Sequence, residues 1–373
     1  MKGTVIKRGA KWVVVVDLGR DVDGRRIRKW HSGYPTKREA EAARVEILSS
    51  LQHGGYVAPS KVTVSEWCEQ WLENRQGIAD TTRVGYTSDV KRVARGDLGP
   101  VRLSTLTPMA VSAWYRKLSD AYSPKTIRNT HTTLSRALKD AVRVGVVVRN
   151  AAQDAELPKL ERPDSPAWTA DQLRTFLNHV RDHRLYAAWQ LACSTGMRRS
   201  EVMGLRWQSV DFDQGRLAVV DTLVLVNSRP VHRLGQTKSA SSRRVIALDE
   251  RTLSVLKSHR TRQLEERLRA STAWADTGLV FCNELGGPVD LDKFTRTTKK
   301  YAVEAGVPAL TLHQASRHTW ATLALMQGVN AKVVQERLGH ASIAITLDRY
   351  SHLVDGMDRD AAETVAALIG GAQ

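Results

Sequence analysis

The sequence predicts an α+β multidomain protein. It has a small N-terminal domain of three strands and one helix, a helical middle domain, and a larger, mostly helical C-terminal domain with a small antiparallel sheet. Three observations carry this reading. The chain has 373 residues, too many for one ordinary domain. Glycine and proline clusters break it at Gly54, Gly55 and Pro59 and again at Pro158, Pro163 and Pro166. Hydrophobic periodicity changes from short β-branched runs before the first break to helical spacing after it.

The elements follow in order. Trp12 to Val16 is a β-branched run between Gly9 and Gly19, and Asp21 to Gly24 is a turn. Arg25 to His31 reads as a second strand with alternating basic residues, and Gly3 to Lys7 as a third. From Thr36 the pattern is helical. Thr36 or Pro35 lies near the start, with Ala40, Ala43, Val45, Ile47 and Leu51 on one side. In the middle domain Thr63 or Ser65 caps a helix carrying Trp67, Trp71 and Leu72. Thr81 opens a second with Tyr86 and Val90. Thr107 precedes a third with Val111, Trp114, Tyr115 and Leu118. Ser123-Pro124 starts a fourth with Ile127, Leu134, Leu138 and Val142. The aromatics lie on the apolar stripes and are expected in the core. In the last domain Arg216 to Leu225 and Arg243 to Leu248 read as strands, with Pro230 and Gly235 in the loop between.

Composition narrows the function. Charged residues are 25% and hydrophobic ones 42%, a soluble globular balance. No apolar run has the length of a membrane span. The N-terminus lacks a secretory pattern, so a cytoplasmic protein without membrane partners is expected. Cys68, Cys193 and Cys282 are far apart and have no metal-ligand spacing, so reduced, packed thiols are expected. The net charge of +17 points to a polyanionic partner. Lys and Arg outnumber Asp and Glu by 12 to 6 over residues 1–60, 15 to 8 over 61–150, and 29 to 25 over 151–373. The excess therefore lies mainly in the first 150 residues. There Lys7, Arg8, Lys11, Arg26, Arg28 and Lys29 sit on the strands, and a basic ribbon of that kind can enter a DNA major groove. Lys125, Arg128 and Asn129 fall on the first turns of the fourth helix, where they can meet phosphates or base edges.

Four segments of the last domain stand out. In Thr195-Gly196-Met197-Arg198-Arg199-Ser200-Glu201, a glycine precedes a helix and Arg198 is placed in its first turn. Thr237-Lys238-Ser239 is a polar turn before a strand. His313-Gln314-Ala315-Ser316-Arg317-His318-Thr319 opens a helix that continues through Ala321, Leu323 and Leu325. Leu338-Gly339-His340 lies ten residues before Tyr350, with His352 just beyond. Each alone has a commoner explanation as an ion pair, an exposed turn or a packed histidine. No metal-ligand spacing such as H-E-x-x-H is present. Val333 to Tyr350 alone could also be a helix-turn-helix reader, but that leaves the earlier segments unexplained.

The joint order changes the reading. From Thr195 to Tyr350 the chain resembles the tyrosine recombinase, or phage integrase, family, whose signature is T-G-x-R-x-x-E, a turn Lys, an R-H-T box, an L-G-H box and a Tyr about ten residues later. Residues 165–355 carry the match. Upstream, the chain is similar in pattern to heterobivalent integrases. The resemblance thus implies an arm-type DNA-binding domain over 1–58, a helical, SAM-like core-binding domain over 61–155 and a catalytic domain over 165–373. It implies Tyr350 as nucleophile, Arg198, Arg317 and His340 around the scissile phosphate, Lys238 as general acid, and no cofactor or metal. It implies double-stranded DNA with arm-type and core-type sites as substrate and a homotetramer on two duplexes. A host DNA-bending protein and an excisionase are candidate accessory partners. The closing stretch Arg359 to Ile369 would be a helix docking on a neighbouring protomer. A type IB topoisomerase-like enzyme shares these catalytic groups, and a DNA-binding regulator without catalysis is the alternative from another class.

One departure stands in the third box. The family pattern is H-x-x-R-H, but here three residues separate His313 from Arg317, so the usual histidine register holds Gln314. Either His313 reaches the site across an extra residue, or Gln314 takes the position as a neutral donor. The lead-in Leu310-Thr311-Leu312 favours His313.

Overall fold

The computed structural model describes residues 3–20, 24–52, 61–160, 166–226, 229–233 and 243–350, and residues 363, 365–367 and 369 near the end. The chain divides into two compact units, residues 1–161 and 162–373.

The first unit begins with β1 (Gly3–Arg8), β2 (Lys11–Arg20) and β3 (Arg26–Tyr34), antiparallel in that order. Alternation along β2 sends Val14 and Val16 to one face, where helix α1 (Lys37–Gln52) covers them. The Thr36 hydroxyl accepts from the Glu39 N–H at 3.3 Å and starts α1. Ala40 is fully buried, with Ala43, Ile47 and Leu48 packed beside it. Val45, expected on this face, is 61% exposed. Five residues beyond Ala40 it is rotated by about 140° around the helix, and Leu48 takes its place. Gly24 lies in the expected turn, but residues 21–23 and the Gly54–Pro59 break lie outside the described residues.

Four α-helices follow: α2 (Val64–Glu73), α3 (Asp80–Arg95), α4 (Pro108–Leu118) and α5 (Pro124–Arg143). Thr63, Thr107 and Ser123 cap α2, α4 and α5 through their hydroxyls, Thr63 in a full capping box with Glu66. Helix α3 starts at Asp80, with Ala79 in the cap position and no side-chain cap, slightly before the expected Thr81. Trp71, Trp114, Tyr115, Ile127, Leu134 and Leu138 form the core, and Trp67 packs against it. Buried Asp89 joins α3 to α5 by accepting from Thr130 at 3.1 Å and Thr133 at 2.7 Å.

The second unit contains α6 (Ala170–His179), α7 (Tyr186–Thr195) and α8 (Arg199–Gly204). Strands β4 (Val210–Asp211), β5 (Arg216–Val219), β6 (Thr222–Val226), β7 (Arg229–Arg233) and β8 (Arg244–Ala247) come next. Helices α9 (Glu250–Ala270), α10 (Leu291–Glu304), α11 (Thr319–Met326), α12 (Ala331–Leu338) and α13 (Ile343–Tyr350) complete it. Trp189 centres the core, stacked on Phe294 with its indole N–H donating to Thr298 at 2.9 Å.

Two expectations are corrected here. The run Arg216 to Leu225 is two strands: β5 joins the sheet β4-β5-β8, and β6 pairs with β7. Asp221 is buried in the two-residue break between β5 and β6, its carboxylate 3.9 Å from Arg206. Pro230, expected in a loop, lies in β7 opposite Leu225. Among the described residues the β6–β7 ribbon pairs with no third strand, so it is all edge and tolerates a residue without an N–H. Cys68, Cys193 and Cys282 are buried and free. Among the described residues no helix is long and apolar enough to cross a membrane.

Candidate functional site

The four motif segments were expected to meet, and the structure brings three of them together at the C-terminal end of α12. Helix α7 ends at Gly196, whose φ of 67° is left-handed. A Cβ there would lie 2.6 Å from a methyl of Leu338, so only glycine lets the first box approach the fourth. Arg198 follows as the residue capping α8. It stands one position before the first turn in which the sequence places it. Glu201 accepts from the Arg198 backbone N–H at 2.9 Å and from its guanidinium at 2.7 Å.

The last carbonyls of α12 have no helical N–H partners. Three arginines supply donors instead. Arg244 Nε donates to the Arg337 carbonyl at 2.6 Å, Arg317 Nη2 to Leu338 at 2.7 Å, and Arg198 Nη2 to Gly339 at 3.1 Å. Cations at a helix C-terminus also meet the negative end of its dipole. Gly339, with φ of 65°, turns the chain so that successive carbonyls face different donors. Arg317 is 2% exposed and ties the turn back to Gly196 through Nη1 at 2.9 Å.

Glu201 is the counter-charge. It is 2% exposed, and Arg244 grips it with both terminal nitrogens at 3.2 and 2.8 Å. Burial raises the carboxyl pKa, but the bonds and charges of Arg244 and Arg198 outweigh this and hold it below the usual range. Arg337 lies over Trp320 at 5.1 Å and donates to Ala247 at 3.1 Å. Four arginines and one buried carboxylate therefore surround the end of α12, a balance suited to an anion.

His340 lies just beyond Gly339. Its Nδ1 is 2.8 Å from the Thr346 hydroxyl on α13, and its carbonyl accepts from Gln335 at 2.9 Å. Tyr350 is the last residue of α13. Its side chain, Lys238 with the Thr237–Ser239 turn, Gly235, Pro163 and His352 lie outside the described residues. So do Arg359 to Ala362, whereas Val365 and Ile369 in the closing stretch are helical and exposed.

The third box departs from a regular helix. His313–His318 forms a π-turn before α11, one residue wider per turn than an α-helix. The extra residue between His313 and Arg317 is accommodated there, and Arg317 still reaches Gly196 and Leu338. Gln314 closes a local cap: its carbonyl oxygen accepts from the Thr311 N–H at 3.0 Å and hydroxyl at 2.8 Å. His313 is exposed and meets His318 edge-on, with ring centroids 4.7 Å apart.

The other expected contacts lie in the first unit. Alternation and pairing place Arg8, Lys11, Arg26 and Arg28 on the sheet face away from α1, with Ile6, Val13 and Val15. Trp30, 52% exposed, shares that face beneath Arg8, 5.8 Å from its ring. Lys7, opposite Trp12, projects on the α1 side but is exposed. Arg26 pairs with Asp17 at 3.4 Å. On α5, Lys125 and Asn129 are exposed, while Arg128 donates to the Pro158 carbonyl at 3.1 Å. Sequence reasoning singled out neither Arg244 nor Trp30. Arg244 belongs to no recognised box, and its partner Glu201 is 43 residues away.

Comparison with known proteins gives the family and the fold. Residues 167–356 match the phage integrase family, and residues 5–51 match an arm DNA-binding domain. A tyrosine recombinase XerC-like protein of Caldanaerobacter subterraneus subsp. tengcongensis is 30% identical, over 98% of this chain and 99% of that protein. An integrase of Streptomyces ambofaciens is also 30% identical, over 97% and 93%. The fold is shared with the Tn1549 transposon integrase solved with a circular intermediate DNA, at a TM-score of 0.70 and 21% identity over 81% of this chain and 99% of that one. It is shared too with a lambda integrase tetramer bound to a Holliday junction, at 0.59 and 19% over 90% and 91%. The chain belongs to the phage integrase family and is a tyrosine-type site-specific recombinase, an enzyme of DNA strand breakage and rejoining.

Proposed function

We propose that the chain integrates a phage or other mobile element, cutting and rejoining DNA through a 3′-phosphotyrosyl link to Tyr350. The observation that carries this reading is the convergence of Arg198 and Arg317, 119 positions apart in the sequence, on adjacent carbonyls of the turn leading to His340. The Tyr350 hydroxyl gives its proton to water as its oxygen attacks the scissile phosphorus, the 5′-oxygen leaves, and Lys238 gives that oxygen its proton. Arg198, Arg317 and His340 stabilise the charge on the non-bridging oxygens. A 5′-hydroxyl of the partner strand then attacks the phosphotyrosine and releases Tyr350. The phosphodiester energy is conserved, so no nucleotide cofactor enters. At the third box the Gln314 oxygen is held by Thr311 while the His313 side chain is exposed, which supports His313 as the residue that reaches the phosphate.

In this reading residues 1–58 bind arm-type sites through Lys7, Arg8, Lys11, Arg26 and Arg28. Residues 61–155 and 165–373 clamp core-type sites, with Lys125, Arg128 and Asn129 on the first of these. Four copies act on two duplexes in the host cytoplasm, with a DNA-bending protein and an excisionase as accessory factors. The solved relatives bound to DNA, one of them a tetramer on a Holliday junction, support this arrangement.

Trapping tests the nucleophile. On nicked duplexes drawn from DNA flanking the chain's own coding region, the wild type should give a covalent adduct mapping to Tyr350. Tyr350→Phe should bind the same duplex and give none. Normal adduct formation by Tyr350→Phe overturns the assignment. Intact binding without adduct by the wild type favours a regulator.

A further inference from the structure

We propose that Arg244, which belongs to none of the motif segments, is a positioning residue that keeps the charge of Arg198 available to the scissile phosphate. The inference rests on the reading of Arg198 given above. Arg244 opens β8 with its side chain 7% exposed, and its guanidinium does two things at once. Its terminal nitrogens hold both oxygens of Glu201, at 3.2 and 2.8 Å, and its Nε holds the Arg337 carbonyl at 2.6 Å.

Both contacts bear on Arg198. Glu201 binds Arg198 through the same two oxygens, at 2.7 and 2.9 Å. A buried carboxylate with one arginine forms a neutral pair, and such a pair has little charge left for a third group. A second arginine on the same carboxylate leaves the trio with a net positive charge. Of the two, Arg198 is the exposed member, its side chain 34% accessible against 7% for Arg244. The net charge is therefore presented at Arg198. The Nε bond meanwhile fixes the Arg337 carbonyl, next to the Leu338 and Gly339 carbonyls on which Arg317 and Arg198 rest. Lysine has one nitrogen and cannot span a carboxylate and a carbonyl in this way.

Single-turnover cleavage on a pre-bound nicked duplex that the wild type cleaves tests the idea. Arg244→Met should cleave at least tenfold more slowly with DNA affinity within twofold of wild type. Adding Glu201→Gln removes the unbalanced carboxylate and should recover part of the lost rate. A residue that merely supports the fold would lose further ground in the double variant. Wild-type cleavage by Arg244→Met, or a double variant slower than the single, overturns the proposal. If Arg244→Met fails to fold, Arg244→Lys is read instead: slow cleavage with intact binding supports the proposal, and wild-type cleavage overturns it. Arg198→Lys is run beside them. If it cleaves normally while Arg244→Met is slow, the phosphate role of Arg198 fails, and with it the route proposed for Arg244.

Discussion

The N-terminal sheet and the turn after α12 both gather cations, but they hold them in opposite ways. On the sheet Arg8, Lys11, Arg26 and Arg28 are exposed and set out by strand alternation. At the turn Arg244 and Arg317 are buried, with backbone carbonyls and Glu201 as partners. Exposed cations act mainly through net charge, are screened by salt, and can substitute for one another. Buried, forked arginines act through geometry and cannot be exchanged even for lysine. A recombinase needs both, because finding a polyanion and stabilising one phosphate at a transition state are different tasks.

The sharpest way to break this contrast is Arg317→Lys, which keeps the charge and discards the fork. One ammonium cannot reproduce the planar fork whose two separate nitrogens lie 2.9 and 2.7 Å from the Gly196 and Leu338 carbonyls. Loss of one preorganised donor costs roughly 10²–10³ in rate. A carbonyl left unpaired costs a further ~1–3 kcal/mol of stability. Single-turnover cleavage should fall at least about a hundredfold while DNA affinity changes little. An equal fall in affinity and rate would mean that Arg317 acts as a surface cation does.

Histidines extend the comparison to pH. His31, on the sheet, has a lowered pKa from partial burial and nearby Lys29. His259, 4% exposed in the second unit, is pushed down to about 4 by burial, with Arg262 and Arg184 also lowering it and the bond to Val280 and the Glu266 charge opposing. Its Nε2 lies 2.8 Å from the Val280 carbonyl and its Nδ1 faces an Arg262 nitrogen at 3.1 Å. The folded state therefore resists protonating it, while the unfolded chain protonates near 6.5. The stability this represents is present above pH 6.5 and is lost as pH falls toward 4. A shift of that size corresponds to at most about 3 kcal/mol. Tryptophan fluorescence, with Trp207 ring-to-ring 6.2 Å from His259, should report acid unfolding in that window. His259→Gln should make the same window flatter; an unchanged profile would assign the acid sensitivity elsewhere.

The third box gives a smaller effect and separates two neighbours. His313→Ala should slow cleavage roughly tenfold to a hundredfold, the equivalent of one charged hydrogen bond of about 1.5–3 kcal/mol made in the transition state. Gln314→Ala removes the cap on Thr311 and should cost about 1 kcal/mol of stability with little change in rate. Pre-bound single-turnover cleavage and thermal unfolding, measured together, distinguish them. The reverse pattern would place Gln314 at the phosphate.

What the sequence disclosed follows from how local each signal is. Strand alternation, the Thr63, Thr107 and Ser123 caps and the order of the boxes depend on near neighbours, and the fold class and elements built on them are seen in the structure. The placing of Val45 failed because a spacing of five residues from Ala40 is off the helical period, whereas Ile47, seven residues on, returns to the same face. The run Arg216 to Leu225 looked continuous because a partner of Asp221 at its break, Arg206, lies outside the run. The π-turn coincides with Arg317 bonds to Gly196 and Leu338, residues far away in the chain, so no local pattern announces it. Arg244 was invisible for the same reason: its meaning lies in Glu201 and Arg337.

The smallest effect belongs to a single sheet cation, and it tests the other half of the contrast. Arg28 is exposed, lies opposite Asp17, and shares its face with Arg8, Lys11 and Arg26. Arg28→Ala removes at most one phosphate contact. On the proposed arm-type duplex, affinity should fall only severalfold, and the slope of log affinity against log salt should shrink by about 1. Cleavage of an isolated core-type duplex should not change, because the proposed chemistry draws on the arginines around α12 and not on the sheet. Replacing Arg8, Lys11 and Arg28 together should lower affinity and slope in proportion, as expected for interchangeable charges. If Arg28→Ala instead abolishes binding while leaving the salt slope intact, the side chain reads a base edge by a directed bond. The sheet would then hold at least one cation by geometry, as the turn does.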